Sequence, residues 1–185
     1  MNKMIPSFTS LENATGEDIF YHFRSYFKTP DLHAEGIITV KASSTIPGPG
    51  NNRAEVSIII HEPDNKRWVS DLKPNQFFTI NFYSNFVSLV SYKIETSKSM
   101  RYITNWDVYG ISNNKLFLID RRVNESICNS VSIWCSNNIN MSFTCQHPGV
   151  FSKFLIQSTG PDSVNEDCLS LTKIRFYGVV SPLRE

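Results

Sequence analysis

Along most of the chain, apolar and polar residues alternate with a period of two. Ile38, Val40 and Ala42, for example, alternate with Thr39 and Lys41. Successive side chains of a β-strand point to opposite faces, so this pattern predicts a strand with one buried face.

The same pattern recurs in further short segments that are separated by turn residues. We predict strands at Glu55–His61 (with the apolar run Val56–Ile60), Trp68–Val69, Phe77–Phe82, Val87–Glu95 (with a bulge near Val90–Ser91), Trp106–Gly110, Leu116–Asp120, Asn137–Cys145, Phe154–Gln157 and Leu169–Val180. Clusters of Gly, Pro, Asn and Asp fall between them, and Thr45–Asn52 is the clearest loop. Many short strands with turns every 8–12 residues or so predict an all-β sandwich or barrel.

One segment near the N-terminus has the period of a helix instead. Ile19, Phe23, Tyr26 and Phe27 lie on one helical face. Thr15 and Asp18 precede them with the spacing of a capping box, and Pro30 is expected to end the helix. A helix of this length is not stable alone, so we expect its aromatic face to pack on a larger body.

The composition is that of a globular protein. The 185 residues are 41% hydrophobic and 12% aromatic, and the formal net charge is +1. The aromatic content favours strands. A chain without a basic stripe is a poor candidate for nucleic-acid binding. The N-terminus lacks the apolar run of a signal peptide, and no stretch approaches the roughly 18 apolar residues of a transmembrane helix. We therefore expect a cytoplasmic protein.

The four cysteines are Cys128, Cys135, Cys145 and Cys168, and none forms a CxxC pair. In a reducing compartment they are expected to be small buried hydrophobic residues. A disulfide between Cys128 and Cys135, or between Cys145 and Cys168, is the alternative that secretion would favour.

Six segments, in this order, resemble the discoidin-type (coagulation factor V/VIII type C) domain, most closely the version found beside BTB domains in protist proteins. They are Gly36–Ser44, Trp68–Phe77, Tyr102–Gly110, Leu118–Arg122, Phe154–Asp162 and Leu169–Gly178. The resemblance implies a galactose-binding-like jelly roll of two antiparallel sheets packed face to face. It covers residues 15–180 as a single domain, between an N-terminal arm (1–14) and a C-terminal tail (181–185).

The chain departs from the family pattern at two positions and in one segment. Phe154 replaces a usual arginine, Arg175 replaces a usual glutamate, and the insertion at residues 130–140 is longer than expected. These departures weaken the inference of a sugar ligand more than the inference of the fold.

No set of residues indicates catalysis. The histidines are His22, His33, His61 and His147. None has the spacing of a zinc-binding helix, and the proximity of Cys145 and His147 follows from strand geometry alone. We predict no catalytic residue and no cofactor. A structural calcium ion is the alternative, held by Asn51, Asn52, Glu55 and Asp64. That set carries few charges, and an asparagine-rich turn explains it equally well.

The resemblance implies that the loops at one end of the sandwich bind the ligand. The candidate binding residues are Asn52, Arg53, Asp64, Trp68, Arg101 and Trp134. Arginine and tryptophan suit hydrogen bonding to sugar hydroxyls and stacking on a sugar ring. For Trp68 the alternative is a core residue, and for Trp134 it is a flap packed on the sandwich.

The sequence thus leaves more than one function open. The first hypothesis is a non-catalytic intracellular scaffold subunit that docks on other proteins, for example in a ciliary or cytoskeletal assembly. The alternative is a carbohydrate-binding, lectin-like domain. An enzyme is the least favoured class, and neither nucleic acid nor a transmembrane segment is expected.

Overall fold

The computed structural model describes residues 5–11, 17–46, 55–61, 66–96, 101–126 and 139–182. The elements are β1 (Phe8–Ser10), α1 (Ile19–Phe27), β2 (Thr39–Ala42), a 3₁₀ helix (Val56–Ile60), β3 (Trp68–Val69), β4 (Phe77–Asn81), β5 (Asn85–Thr96), β6 (Trp106–Ser112), β7 (Lys115–Arg122), β8 (Ile139–Thr144), β9 (Val150–Phe151), β10 (Lys153–Ser158), β11 (Ser170–Leu171) and β12 (Lys173–Pro182). β1 forms from residues that the sequence predicted to be an arm, and β12 extends into the predicted tail.

Two five-stranded sheets form a sandwich, as the sequence predicted. One sheet has the order β1-β12-β5-β8, with β9 also paired to β5. The other has the order β2-β4-β10-β6-β7. β3 and β11 form a small additional sheet, and the neighbouring strands in all three sheets are antiparallel.

The core between the sheets is rich in aromatic side chains. Phe154 is fully buried, and its ring lies 5.4 Å from that of Phe176 and 6.0 Å from that of Phe82 in edge-to-face contacts. Such contacts stabilise a core beyond the area they bury. The departure from the family pattern at Phe154 therefore adds a ring to the core.

Arg175, the second departure from the family pattern, forms ion pairs on the sandwich. The Arg175 guanidinium lies 3.3 Å from the Asp18 carboxylate and also pairs with Glu95 across β5 and β12. Asp18 is fully buried, and this burial raises the pKa of its carboxyl although Arg24 and Arg175 act in the opposite direction. Arg175 thus holds the start of α1 against the sheet.

The predicted helix is present, with two corrections. Asp18 is its N-cap, because its carboxylate accepts a hydrogen bond from the Tyr21 N–H at 2.7 Å, whereas the capping box placed Asp18 inside the first turn. Tyr26, predicted to be packed, is 52% exposed. The other residues of the predicted face are packed, because Ile19 and Phe23 are fully buried and Phe27 lies against the core, and Phe20 is buried beside them.

The segment Val56–Ile60 was predicted as a strand and is a 3₁₀ helix. Val56, Ile59 and Ile60 are buried, a spacing of three and four residues that suits a helical turn. Periodicity alone cannot distinguish the two structures in so short an apolar run. The turn packs between β2 and β12 and closes, together with α1, one side of the sandwich.

The bulge predicted in β5 is confirmed. Tyr177 pairs with Ser91, whereas the next residue, Gly178, pairs with Leu89, so Val90 is the extra residue. Such a residue bends its strand and increases the local twist.

The turn of the β6–β7 hairpin can be tested by substitution. Asn113 and Asn114 have φ angles of 49° and 58°, and two positive φ angles are what a type I′ turn requires. Glycine adopts this conformation without steric strain, so Asn114→Gly should raise the free energy of unfolding by about 0.5 kcal/mol. Asn114→Ala should lower it by about 1 kcal/mol. Urea denaturation of both variants measures the difference, and equal stabilities would contradict the turn assignment.

Candidate functional site at the loop end

The strand directions bring most of the long connections to one end of the sandwich. β2, β5, β7 and β10 all finish at this end, which we call the loop end. The described parts of its connections are 43–46, 55–61, 66–76, 101–105, 123–126 and 159–172. The predicted binding residues Asn52, Arg53, Asp64 and Trp134 belong to connections of this end but lie outside the described residues.

Trp68 is a core residue, which is the alternative that the sequence left open. It is fully buried, and its ring meets that of Phe78 edge to face at 5.6 Å. Its indole N–H donates to the Thr45 hydroxyl at 3.1 Å and to the Ser44 carbonyl at 3.3 Å. The ring is therefore not available for stacking on a ligand. Its position in β3, paired with β11, directs it inward.

Hydroxyl and amide groups next to Trp68 fix the connection that follows β2. The Ser43 hydroxyl donates to the Gln76 side-chain oxygen at 2.7 Å, and the Ser44 hydroxyl contacts the same oxygen. The Ser44 oxygen also accepts from the Asp71 N–H at 2.8 Å. These bonds hold the start of this connection against the chain that leads into β4.

Arg101 joins two connections of the loop end. Its Nε lies 3.4 Å from Asp162 Oδ2, and its Nη1 pairs with Glu166. The other Asp162 oxygen accepts from the backbone N–H groups of Val164 and Glu166 at 2.9 and 3.1 Å. Burial raises the pKa of Asp162, although these N–H groups and Arg101 lower it.

The exposure of the three charged groups differs. The Asp162 side chain is 2% exposed, that of Arg101 18% and that of Glu166 49%. The Arg101 side chain is therefore partly exposed, and the more exposed Glu166 carboxylate lies beside it. A planar guanidinium donates several hydrogen bonds in a fixed geometry, and a carboxylate accepts several.

A second polar group lies next to this cluster. The Thr104 hydroxyl donates to the Pro161 carbonyl at 2.5 Å, and the Asn105 amide donates to the Thr104 oxygen at 2.8 Å. The Asn105 side-chain oxygen accepts from the Asn124 N–H at 2.9 Å. Sequence reasoning missed Thr104 and Asn105. The sequence could have indicated them, because they lie immediately before the strand that begins at Trp106 and because Pro161 lies in a predicted loop.

A buried polar network links the strands that begin or finish at the loop end. The Trp106 indole N–H donates to the Tyr92 hydroxyl at 2.8 Å, and this hydroxyl donates to Asp120 Oδ2 at 2.6 Å. The same carboxylate oxygen accepts from Arg122 Nε at 2.8 Å. Arg122 Nη2 donates to the Thr144 carbonyl at 2.7 Å, which ties β7 to β8 of the facing sheet. Burial and the Asp120 carboxylate both raise the pKa of Tyr92, so the phenol stays protonated.

The two thiols in the described part of the chain do not form a reactive site. Cys145 and Cys168 are buried and free, so the alternative of a bridge between them is wrong. Burial raises the pKa of Cys145 to about 12, which keeps it protonated at neutral pH. The prediction of small buried residues is confirmed for these two, whereas Cys128 and Cys135 lie outside the described part of the chain.

Within the described ranges, no three His, Cys, Asp or Glu side chains are grouped so that they could hold a metal ion. Of the proposed calcium ligands, only Glu55 is described, and it is exposed at the start of the 3₁₀ helix. No helix in the described segments is long and apolar enough to cross a bilayer.

No protein-family model and no curated protein matches the sequence. Solved structures do match. The family 32 carbohydrate-binding module of C. perfringens NanJ, in complex with galactose, is 19% identical with a TM-score of 0.56 over 77% of this chain and 95% of that chain. A family 32 module from Clostridium perfringens, in complex with GalNAc-β-1,3-galactose, is 12% identical with a TM-score of 0.59 over 78% and 97%.

A third match is the chitosan-binding module 1 of a chitosanase/glucanase from Paenibacillus sp. IK-5. It is 16% identical with a TM-score of 0.54 over 77% of this chain and 96% of that chain. Each neighbour is thus matched along almost its whole length. The chain has the discoidin-like, galactose-binding-like jelly-roll fold.

Proposed function

We propose that this chain is a non-catalytic carbohydrate-binding domain that binds its ligand at the loop end. The observation that carries the proposal is the Arg101–Asp162–Glu166 cluster, a partly exposed guanidinium and carboxylate held between two connections of this end. The structural neighbours support it, because the matched modules are described as complexes with galactose and GalNAc-β-1,3-galactose, or as chitosan-binding.

The chemistry of the cluster suits a sugar. Sugar hydroxyls both donate and accept hydrogen bonds, and here a donor edge and an acceptor group are adjacent. Asp162 is buried beneath Arg101 and fixes its orientation, so little side-chain freedom is lost when a ligand binds. Asn52, Arg53 and Trp134 remain proposed contacts on the neighbouring connections.

The scaffold hypothesis becomes the second choice. The neighbours support the sugar-binding alternative, whereas neither the fold nor the comparisons support protein docking or a ciliary or cytoskeletal setting. The two departures from the family pattern no longer argue against a sugar. Phe154 lies in the core, and Arg175 pairs with Asp18 and Glu95.

The proposal predicts the effect of Arg101→Gln. A glycan array identifies the best ligand of the purified chain, and calorimetry then compares the variant with the wild type. Loss of hydrogen bonds from a charged donor should weaken binding about 10- to 100-fold.

Lys115→Gln is the matched control, because it removes one positive charge from the exposed hairpin at the other end of the sandwich. It should bind as the wild type does. Thermal melts of both variants establish that they are folded. Equal affinity of a folded Arg101→Gln variant would exclude the cluster as the site.

A further inference from the structure

A groove lies on the helix side of the sandwich, away from the loop end. It has a volume of about 270 Å³ and runs between the N-terminal segment Ile5–Phe8 and one face of α1. The Ile5 N–H donates to Asn85 Oδ1 at 3.2 Å, and Asn85 begins β5, the strand that finishes at the loop end. This wall of the groove is therefore at the opposite end of the molecule.

The walls are held in place by the core. Phe8 pairs with Val180 in the sheet, and its ring contacts Phe23 edge to face at 6.0 Å. The same ring lies 4.8 Å from the imidazole of His22, which also lines the groove. The helix wall and Phe8 thus belong to regular elements, and the hydrogen bond of Ile5 to Asn85 holds the start of the other wall, so much of the site is ordered before the ligand arrives.

The lining combines aromatic surface with uncharged polar groups. Tyr26 and the half-buried Phe8 offer ring surface, and Ser7 and Ser25 offer hydroxyls. The Tyr26 hydroxyl and the His22 ring nitrogens hydrogen-bond to none of the described residues. No described lining residue carries a fixed charge, so the groove favours a neutral ligand with hydrogen-bonding groups around an apolar face.

We propose that this groove is a second carbohydrate site, which binds one neutral sugar ring against Tyr26 and Phe8. The volume is at the small end for ligand pockets, which fits a single ring better than a longer oligosaccharide. A sugar ring has an apolar face for aromatic side chains and hydroxyls that can pair with Ser7, Ser25 and His22. With a second site, one chain could bind two sugars at once.

The groove and the loop end are tested separately by amide NMR. The ¹⁵N-labelled full chain is titrated with methyl β-D-galactoside, with N-acetyl-D-glucosamine and, for comparison, with a penta-proline peptide. We expect saturable shifts of the Phe8, His22 and Tyr26 resonances with at least one of the two sugars. They should persist in Arg101→Gln, because that residue is at the other end.

Tyr26→Ala should weaken the groove response about tenfold, the value of one good aromatic contact. Tyr21→Ala is the matched control. Tyr21 is on the same helix and 40% exposed, but it does not line the groove, so the response should be unchanged. Both side chains are exposed, so both variants should fold, and their melting temperatures verify this.

Three outcomes would overturn the second site. They are groove resonances that do not move with either sugar, groove resonances that move only with the peptide, and equal losses in the Tyr26 and Tyr21 variants. Shifts at the loop end with an unresponsive groove would leave the proposed function intact. Shifts in the groove with an unresponsive loop end would support the second site and contradict the proposed function.

Discussion

Asp120→Ala will lower the free energy of unfolding by about 3 kcal/mol, because it leaves a half-buried arginine and a buried phenol without their shared partner. Asp120 is fully buried and accepts from both Tyr92 and Arg122. The network links β5, β6 and β7, and through Arg122 it also reaches β8. Urea denaturation followed by far-ultraviolet circular dichroism measures the loss.

Asp71→Ala is the control for this prediction. Asp71 pairs with Lys73 at 3.3 Å on the surface, where an ion pair contributes about 0–1 kcal/mol. Tyr92→Phe should lower the free energy of unfolding by an intermediate amount, about 1–2 kcal/mol, because it removes one buried hydroxyl and keeps the ring. An Asp120→Ala variant as stable as Asp71→Ala would show that the network does not hold the sheets together.

Gly178→Ala is expected to be the second most damaging change. A Cβ atom at this position would lie 1.9 Å from the Ser88 carbonyl oxygen, and φ is +156°. The obstacle is the backbone of the neighbouring strand at the bulge, which cannot rotate away as a side chain would. We expect a loss of roughly 3 kcal/mol or more from overpacking and backbone strain.

Gly36→Ala is the control, because it places a side chain at a positive φ without a steric obstacle. Gly36 has a φ of +65°, but a Cβ atom added there would have nothing within 4 Å. It should therefore show only the cost of the left-handed conformation, about 1 kcal/mol. The same denaturation experiment compares both variants. Equal losses would mean that the strands separate easily at the bulge.

Much of the fold could be predicted from the sequence because strand periodicity is a local property. The alternation of apolar residues identified β4 to β8 and β10, it merged β11 and β12 into one strand and missed the two-residue β9, and its shift near Val90 located the bulge. Val56–Ile60 could not be assigned in this way, because a five-residue apolar run has no clear period. Tyr26 was misjudged because its exposure depends on how much of the helix face the sandwich covers, which is a tertiary property.

The candidate site was less predictable for the same reason. Arg101 was identified from the resemblance, but its partners Asp162 and Glu166 are about 60 residues away, and only the fold brings them together. Trp68 has the residue type of a sugar-stacking side chain, and only packing against Phe78 shows that it is buried. Residue type and loop position thus predicted at which end of the sandwich the candidate residues lie, but not which residues they contact.

Mapping a glycan on the chain by amide NMR tests most directly whether the loop end binds carbohydrate. The ligand is the best binder from the array, titrated into the ¹⁵N-labelled wild-type chain. We expect saturable shifts centred on Arg101, Asn105 and the 159–166 connection, and we expect Arg101→Gln to reduce them. Absence of any array binder for the folded chain, or shifts that leave this end unchanged, would contradict it.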